Sequence, residues 1–229
     1  MQTKNCLDRG EVEIIDTLGN DLTVVNAARV SFGKRKDVID DADIKLIKYL
    51  KDNKHYSPFR HIIVQFRIKA PEFCMRQLYK HIVGIEVTSS YPTKDHAWNE
   101  ISGRYTPVTD FYVPDVWRKQ SEDNKQASSG RLKQEDQIKA EGLFDKSMDI
   151  IVNTYNKLLA LGVAKEQARI ILPLNLYTEV YWTASFQAIM NFLELRLDAH
   201  AQWEIREYAK VVLEFMEEYF PITTKIWLE

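Results

Sequence analysis

The stretch WNEISGRYTP, Trp98 to Pro107, sets Glu100, Ser102, Gly103 and Arg104 almost side by side. An arginine can grip a phosphate through two parallel N–H bonds, and a glycine lets backbone approach a ligand closely. Serine adds a hydroxyl, and a carboxylate accepts from a sugar hydroxyl or a base. That combination suits an anionic ligand. A polar surface turn would use the same residues, and the local sequence leaves both readings open.

Two other segments carry comparable chemistry. In RQLYKH, Arg76 and Lys80 are spaced for one helical row and Gln77 and His81 for the next, which makes one side cationic and rich in donors. A solvated basic helix end would look the same, because it complements the helix dipole. In LELRLDAHAQWE, Arg196 falls at a break between two helices with Asp198 as the expected cap of the second. An arginine among leucines needs a partner, either Asp198 or a ligand. His200 reads as a packed or capping residue. No Gly-rich phosphate loop, zinc-helix histidine pair or Gly-x-Ser-x-Gly elbow is present. Cys74 lies in an apolar FCM context that predicts burial rather than nucleophilic duty.

The elements that must position these groups follow from periodicity. EVEIID alternates as a strand, Gly19 and Asn20 form a turn, and a helix runs from Leu22 to about Val30 with Asp21 as its expected N-cap. DADIKLIKYLK is a second helix, and Pro58 forces a loop in HYSPFRH. Ile62, Val64, Phe66 and Ile68 share one face of a strand that feeds a helix opened by Pro71, PEFCMRQLYKHIV. The polar run from Arg118 to Gly130 reads as a mobile loop, placed near 118–132 in a single domain spanning 1–229. A long helix from Glu135 to Leu161, a short one in KEQARIIL, a strand in LYTEVYWT, a helix in FQAIMNFLELR and a last helix through Ile205, Ala209, Val212 and Met216 complete the chain. The fold class is α+β, an antiparallel sheet flanked by helices.

Composition narrows the partners. With 229 residues, 45% hydrophobic and 28% charged, the chain can bury a proper core. A net charge of -2 provides no overall basic field for nucleic acid, although RQLYKH and Arg104 beside Tyr79, Tyr91 and Tyr105 keep a base-stacking module as a third reading. Charges interrupt every apolar run, so no membrane span is expected. Cys6 and Cys74 have no ligand or redox spacing and no signal peptide is evident, which points to the cytoplasm, or a host's cytoplasm for a viral protein.

Taken in order, GNDLTVVNAARVSF, HYSPFRHIIVQFRIKAPEFCMRQLYKH, NEISGRY and ARIILPLNLYTEVYWTASFQAIMNFLELRLDAHAQWEI resemble the flavin-dependent thymidylate synthases over nearly the entire chain. The resemblance implies conversion of dUMP to dTMP, with methylene-tetrahydrofolate as carbon donor and FAD, reduced by NADPH, carrying the hydride. It implies a homotetramer with active sites shared between subunits. By position, Gln77, Lys80, Glu100, Ser102, Gly103, Arg104, Arg169 and Arg196 match the substrate-binding set. His55, Ser57, Lys80, His81, Glu100, Ser185 and Asn191 match the cofactor set, and no metal is implied. Arg196 matches the catalytic guanidinium beside the uracil ring, where it would stabilise developing negative charge.

The chain departs from the family pattern at several places. The Arg-His-Arg signature is Lys80-His81-Ile82, Ser185 replaces a common asparagine, and Arg60 stands where an acidic residue is frequent. About a dozen residues are inserted in GIEVTSSYPTKDHAW, from which Lys94 or His96 would replace the missing arginine. These departures keep open a flavin- or nucleotide-binding relative without synthase activity.

Overall fold

The structure, a computed structural model, describes residues 2–81, 83–84, 94–95 and 97–229, the backbone alone at 83, 84, 94 and 95. The expectations resting on Ile82, Tyr91, His96 and the Lys94 side chain lie outside the described residues.

Alternating apolar residues build the sheet. The strands β1 (Gln2–Cys6), β2 (Gly10–Leu18), β3 (Ile63–Pro71), β6 (Ala97–Glu100) and β9 (Tyr177–Ser185) pair antiparallel in the order β1-β2-β3-β9-β6. Register carries Ile14, Phe66, Trp182 and Trp98 across the sheet in one row, and the Phe66 and Trp182 rings stack at 5.9 Å. That face is the core. On the opposite face, Arg67 donates to both oxygens of Glu179, at 2.8 and 2.9 Å, and to Glu13 at 3.2 Å, and these charged hydrogen bonds keep its guanidinium protonated. The α+β expectation holds, with one face apolar and the other polar.

Helices cover the core face. α1 (Asp21–Arg29), α2 (Asp41–Asp52) and α3 (Glu72–Leu78) lie in the first half. α4 (Gln134–Ala160), α5 (Lys165–Ala168), α6 (Phe186–Arg196), α7 (Trp203–Tyr219) and α8 (Pro221–Leu228) follow. α6 is apolar on most sides and buries Phe186, Ala188, Ile189, Met190, Phe192 and Leu193. α4 differs: over its 27 residues only Gln137 and Tyr155 are buried, and Ile138, Leu143 and Ile150 face outward.

Several local expectations are corrected. Asn20, not Asp21, caps α1, in a reciprocal box with Thr23. Asp21 instead accepts from the backbone N–H groups of Ile222 and Thr223, capping α8, a helix the periodicity did not reveal. Pro71 ends β3 and precedes α3, which stops at Leu78 rather than continuing through His81. Where Pro58 required a loop, Ser57–His61 forms a short 3-10 helix. Asp198 does not cap α7, because its carboxylate is taken by the backbone and ring of His200, and α7 starts at Trp203 without a side-chain cap. The polar run after Arg118 is a hairpin, β7 (Arg118–Gln120) and β8 (Ser128–Arg131), tied to α7 by Arg118 bonding Glu204 at 3.1 Å and lying over the Trp203 ring. The remaining described pair, β4 (Val83–Gly84) with β5 (Lys94–Asp95), is a two-residue ladder.

Candidate functional site

β6 delivers the first group of polar residues. Its pairing continues one residue past Glu100, through Ile101 N–H to the Glu179 carbonyl, and the chain then turns as Tyr105 and Thr106 donate to the Ser102 carbonyl. Within the turn the Ser102 hydroxyl accepts from both the backbone N–H and Nε of Arg104, each at 3.3 Å. Lys165 secures the far side by donating to the Tyr105 carbonyl at 2.8 Å. The stretch is therefore an ordered turn, and its guanidinium is aimed by the neighbouring hydroxyl.

Gly103 is buried beneath a second arginine. A Cβ there would stand 3.3 Å from Cδ of Arg169, which lies in the 3-10 turn after α5, so the missing side chain lets Arg169 lie against the turn. Glu100, Ser102, Gly103, Arg104 and Arg169 line one open cavity of about 600 Å³. Two arginines thus border a space that also presents a hydroxyl and carboxylates.

The acidic wall is organised by β9. Thr178 Oγ1 donates to Glu100 Oε1 at 2.6 Å, and Trp98 Nε1 donates to Oε2 at 3.3 Å, which fixes the carboxylate plane. Glu72, at the start of α3, also borders the cavity, and burial together with the neighbouring charge of Glu100 raises its pKa. Glu72 and Thr178 are site residues that sequence reasoning missed. Only the register pairing Ala70 with Thr178 brings the end of β3 against that position of β9.

A second cluster gathers where α3 and α6 end. Arg196 Nε donates to His81 Nε2 at 3.1 Å, and Gln77 Nε2 donates to Gln202 Oε1 at 2.7 Å. His81 is buried edge-on against Phe192, and that burial, with the charge of Arg196, pushes its pKa down to about 4. The ring is neutral at pH 7, with Nε2 as the acceptor and the proton on Nδ1. Arg196 is half-buried, and burial lowers its pKa as well. Among the described residues no carboxylate pairs with it.

Gln77, Lys80 and Arg196 do not line the large cavity. A smaller space of about 300 Å³ lies along α3, bounded by Arg76, Tyr79, Trp98 and the same Glu72 and Glu100. Lys80 is exposed. Of the remaining expected positions, His55 and Ser57 are exposed before β3, Asn191 is half-buried on α6, and Ser185 is buried at the head of α6, where its hydroxyl accepts from Ala188 N–H.

Comparison with known proteins agrees with this architecture. The chain is 41% identical over 217 residues to a flavin-dependent thymidylate synthase of Thermus thermophilus, covering 94% of this chain and 74% of that protein. It is 39% identical over 224 residues to the enzyme of the same name from Thermosipho africanus, covering 97% and 92%. A crystal structure of the UMP/dUMP methylase PolB from Streptomyces cacaoi, bound with 5-Br dUMP, superposes with a TM-score of 0.81 at 30% identity, over 96% of this chain and 94% of that one. Residues 13–222 match the thymidylate synthase complementing protein family, and the chain belongs to it.

Proposed function

We propose that this protein methylates dUMP to dTMP as a flavin-dependent thymidylate synthase. The observation that carries the reading is the convergence of Arg104, Arg169, Ser102 and the close-packed Gly103 on one cavity, a donor set matched to a nucleotide monophosphate. Glu100, held in plane by Thr178 and Trp98, is placed to accept from a sugar hydroxyl. Arg196 would meet the uracil ring, and the neutral His81 behind it fixes the direction of the guanidinium.

The cofactor is FAD, reduced by NADPH, and the carbon comes from methylene-tetrahydrofolate. Exposed donors at His55 and Ser57, with the half-buried amide of Asn191, suit the polar edge and hydroxyls of a flavin nucleotide, and Lys80 offers a cation nearby in sequence to His81. Bound flavin supplies hydride transfer, for which no protein side chain is competent. The chain's own residues bind and orient dUMP and hold charge at its ring.

The active form is a homotetramer with shared sites. Two features support this: the outward apolar side chains of α4, Ile138, Leu143 and Ile150, and the separation of the nucleotide cavity from the Arg196 cluster within one chain. A second copy would complete the site.

The decisive experiment is spectroscopic and chemical together. Purified protein should show a flavin absorbance that bleaches with NADPH and returns on adding dUMP and methylene-tetrahydrofolate, with dTMP formed. Bound flavin without dTMP would identify a binding relative instead.

A further inference from the structure

Arg60 carries a feature that the proposed catalytic set does not use. Its Nε donates to Gln187 Oε1 at 2.7 Å, and Gln187 is only 7% exposed, so the base of the guanidinium is anchored to a buried amide. The arginine itself is exposed, and among the described residues no carboxylate pairs with it and no acceptor meets its Nη1 or Nη2. Its place in the fold is specific. Phe186 N–H donates to the Ile62 carbonyl and Ile63 pairs with Ser185, which sets the Ser57–His61 helix against the head of α6. Ser57 precedes Arg60 by one helical turn, and Ser185 and Asn191 flank Gln187. A clamped cation with its outer donors unused thus stands among the positions matched to the cofactor.

The chain also lacks a cation elsewhere in that set, since isoleucine occupies position 82 where the family signature has arginine. We infer that Arg60, held by Gln187, binds a phosphate of the flavin dinucleotide through its outer guanidinium nitrogens. This assignment rests on the flavin-dependent reading above. The planar fork explains the anchoring: fixing Nε leaves Nη1 and Nη2 as a parallel pair matched to two phosphate oxygens.

The test separates the phosphate from the flavin ring. Equilibrium dialysis of the flavin-free full chain would measure FAD and riboflavin, which has no phosphate, against the parent, Arg60→Gln, Arg60→Lys and Gln187→Leu. The expected result is an FAD affinity about tenfold or more weaker in Arg60→Gln, with riboflavin affinity changed by no more than about twofold. Arg60→Lys should fall between, and Gln187→Leu should weaken FAD in the same direction through loss of the clamp. Unchanged FAD binding in Arg60→Gln, or equal losses for FAD and riboflavin, would overturn the assignment while leaving the flavin enzyme standing. A parent that binds neither ligand would overturn both. Arg60 is exposed, so thermal melting should show its two variants folded.

Discussion

Arg196 donates from Nε to Nε2 of the buried, neutral His81 at 3.1 Å, and this one bond joins the last residue of α6 to the segment after α3. It spends one guanidinium donor on a ring that carries no charge. The positive charge of Arg196 is therefore oriented without being neutralised. An aspartate in the place of His81 would hold the arginine equally well and cancel the field it presents.

Replacing His81 should therefore act on turnover through Arg196. His81→Phe keeps a ring against Phe192 but removes the acceptor, and kcat for dTMP formation should fall about 10- to 100-fold with a smaller change in KM for dUMP. Steady-state kinetics would check this. His81→Gln, which restores an acceptor, should recover part of the loss, whereas a purely structural role would show no such recovery.

The same burial makes stability depend on pH. The folded pKa of His81 is about 4 against an ordinary 6.5, so the native state binds fewer protons than the unfolded chain in that interval. The contribution is fully present above pH 6.5 and is lost as pH falls through 4, amounting to up to about 3 kcal/mol. Urea unfolding at pH 7, 5.5 and 4.5 should show the parent losing more stability than His81→Phe across this window. Parallel pH curves for the two would exclude the effect.

Gly103→Ala probes the cavity proposed to hold dUMP. The added methyl would meet Arg169 Cδ at 3.3 Å and Val108 Cγ2 at 3.5 Å, and the flexible arginine stem is what gives way. Folding should be nearly unchanged, while dUMP affinity falls about 10-fold as the two cationic groups lose their spacing. Isothermal titration with dUMP reads this directly. Truncating Ser102 to alanine should also weaken dUMP binding by the same measurement, since it removes one hydroxyl donor and the acceptor that aims Arg104.

How far the sequence could be read depended on whether a feature was local. The alternation of Ile62, Val64, Phe66 and Ile68 marks β3 without outside help, and α6 begins and ends where its apolar run does. The ends of elements were harder. Asn20 and Asp21 are both good caps, and only the return of α8 decides that Asp21 serves Ile222 and Thr223. The hairpin after Arg118 has almost no apolar periodicity because its attachment is an ion pair and a ring contact with residues far along the chain. In the site, the turn at Ser102 was visible by composition, whereas Glu72 was invisible because its neighbours Glu100 and Thr178 arrive from other strands.

Asp43 should be the costliest single polar residue to remove among the described helices of the first half. Its fully buried carboxylate would be raised by burial alone, but hydrogen bonds from Lys36 at 2.7 Å and from Arg29 Nε at 2.9 Å hold it well below the usual carboxylate range. Asp43→Ala strands Arg29 and leaves Lys36 with Asp40 alone, and should destabilise by about 3 kcal/mol. Denaturant midpoints would show it, and Asp43→Asn should lose less because an acceptor for Arg29 survives. A loss below about 1 kcal/mol in Asp43→Ala would mean that the cations find water at no cost.

Asp21 links the folding of α8 to the Ser57–His61 turn. Its oxygens accept from Thr223 N–H at 2.9 Å and Ile222 N–H at 3.1 Å, closing the first turn of α8. That helix carries Trp227, whose ring meets Phe59 at 4.9 Å and Tyr56 at 5.2 Å, on either side of the exposed Ser57. Asp21→Ala should cost about 1–2 kcal/mol, the range for loss of a helix cap, and release the grip of Trp227. Hydrogen exchange should then quicken in α8 and in Ser57–His61 together, while β3 and β9 stay protected. If exchange quickened in α8 alone, Trp227 would not be what holds that segment against α6.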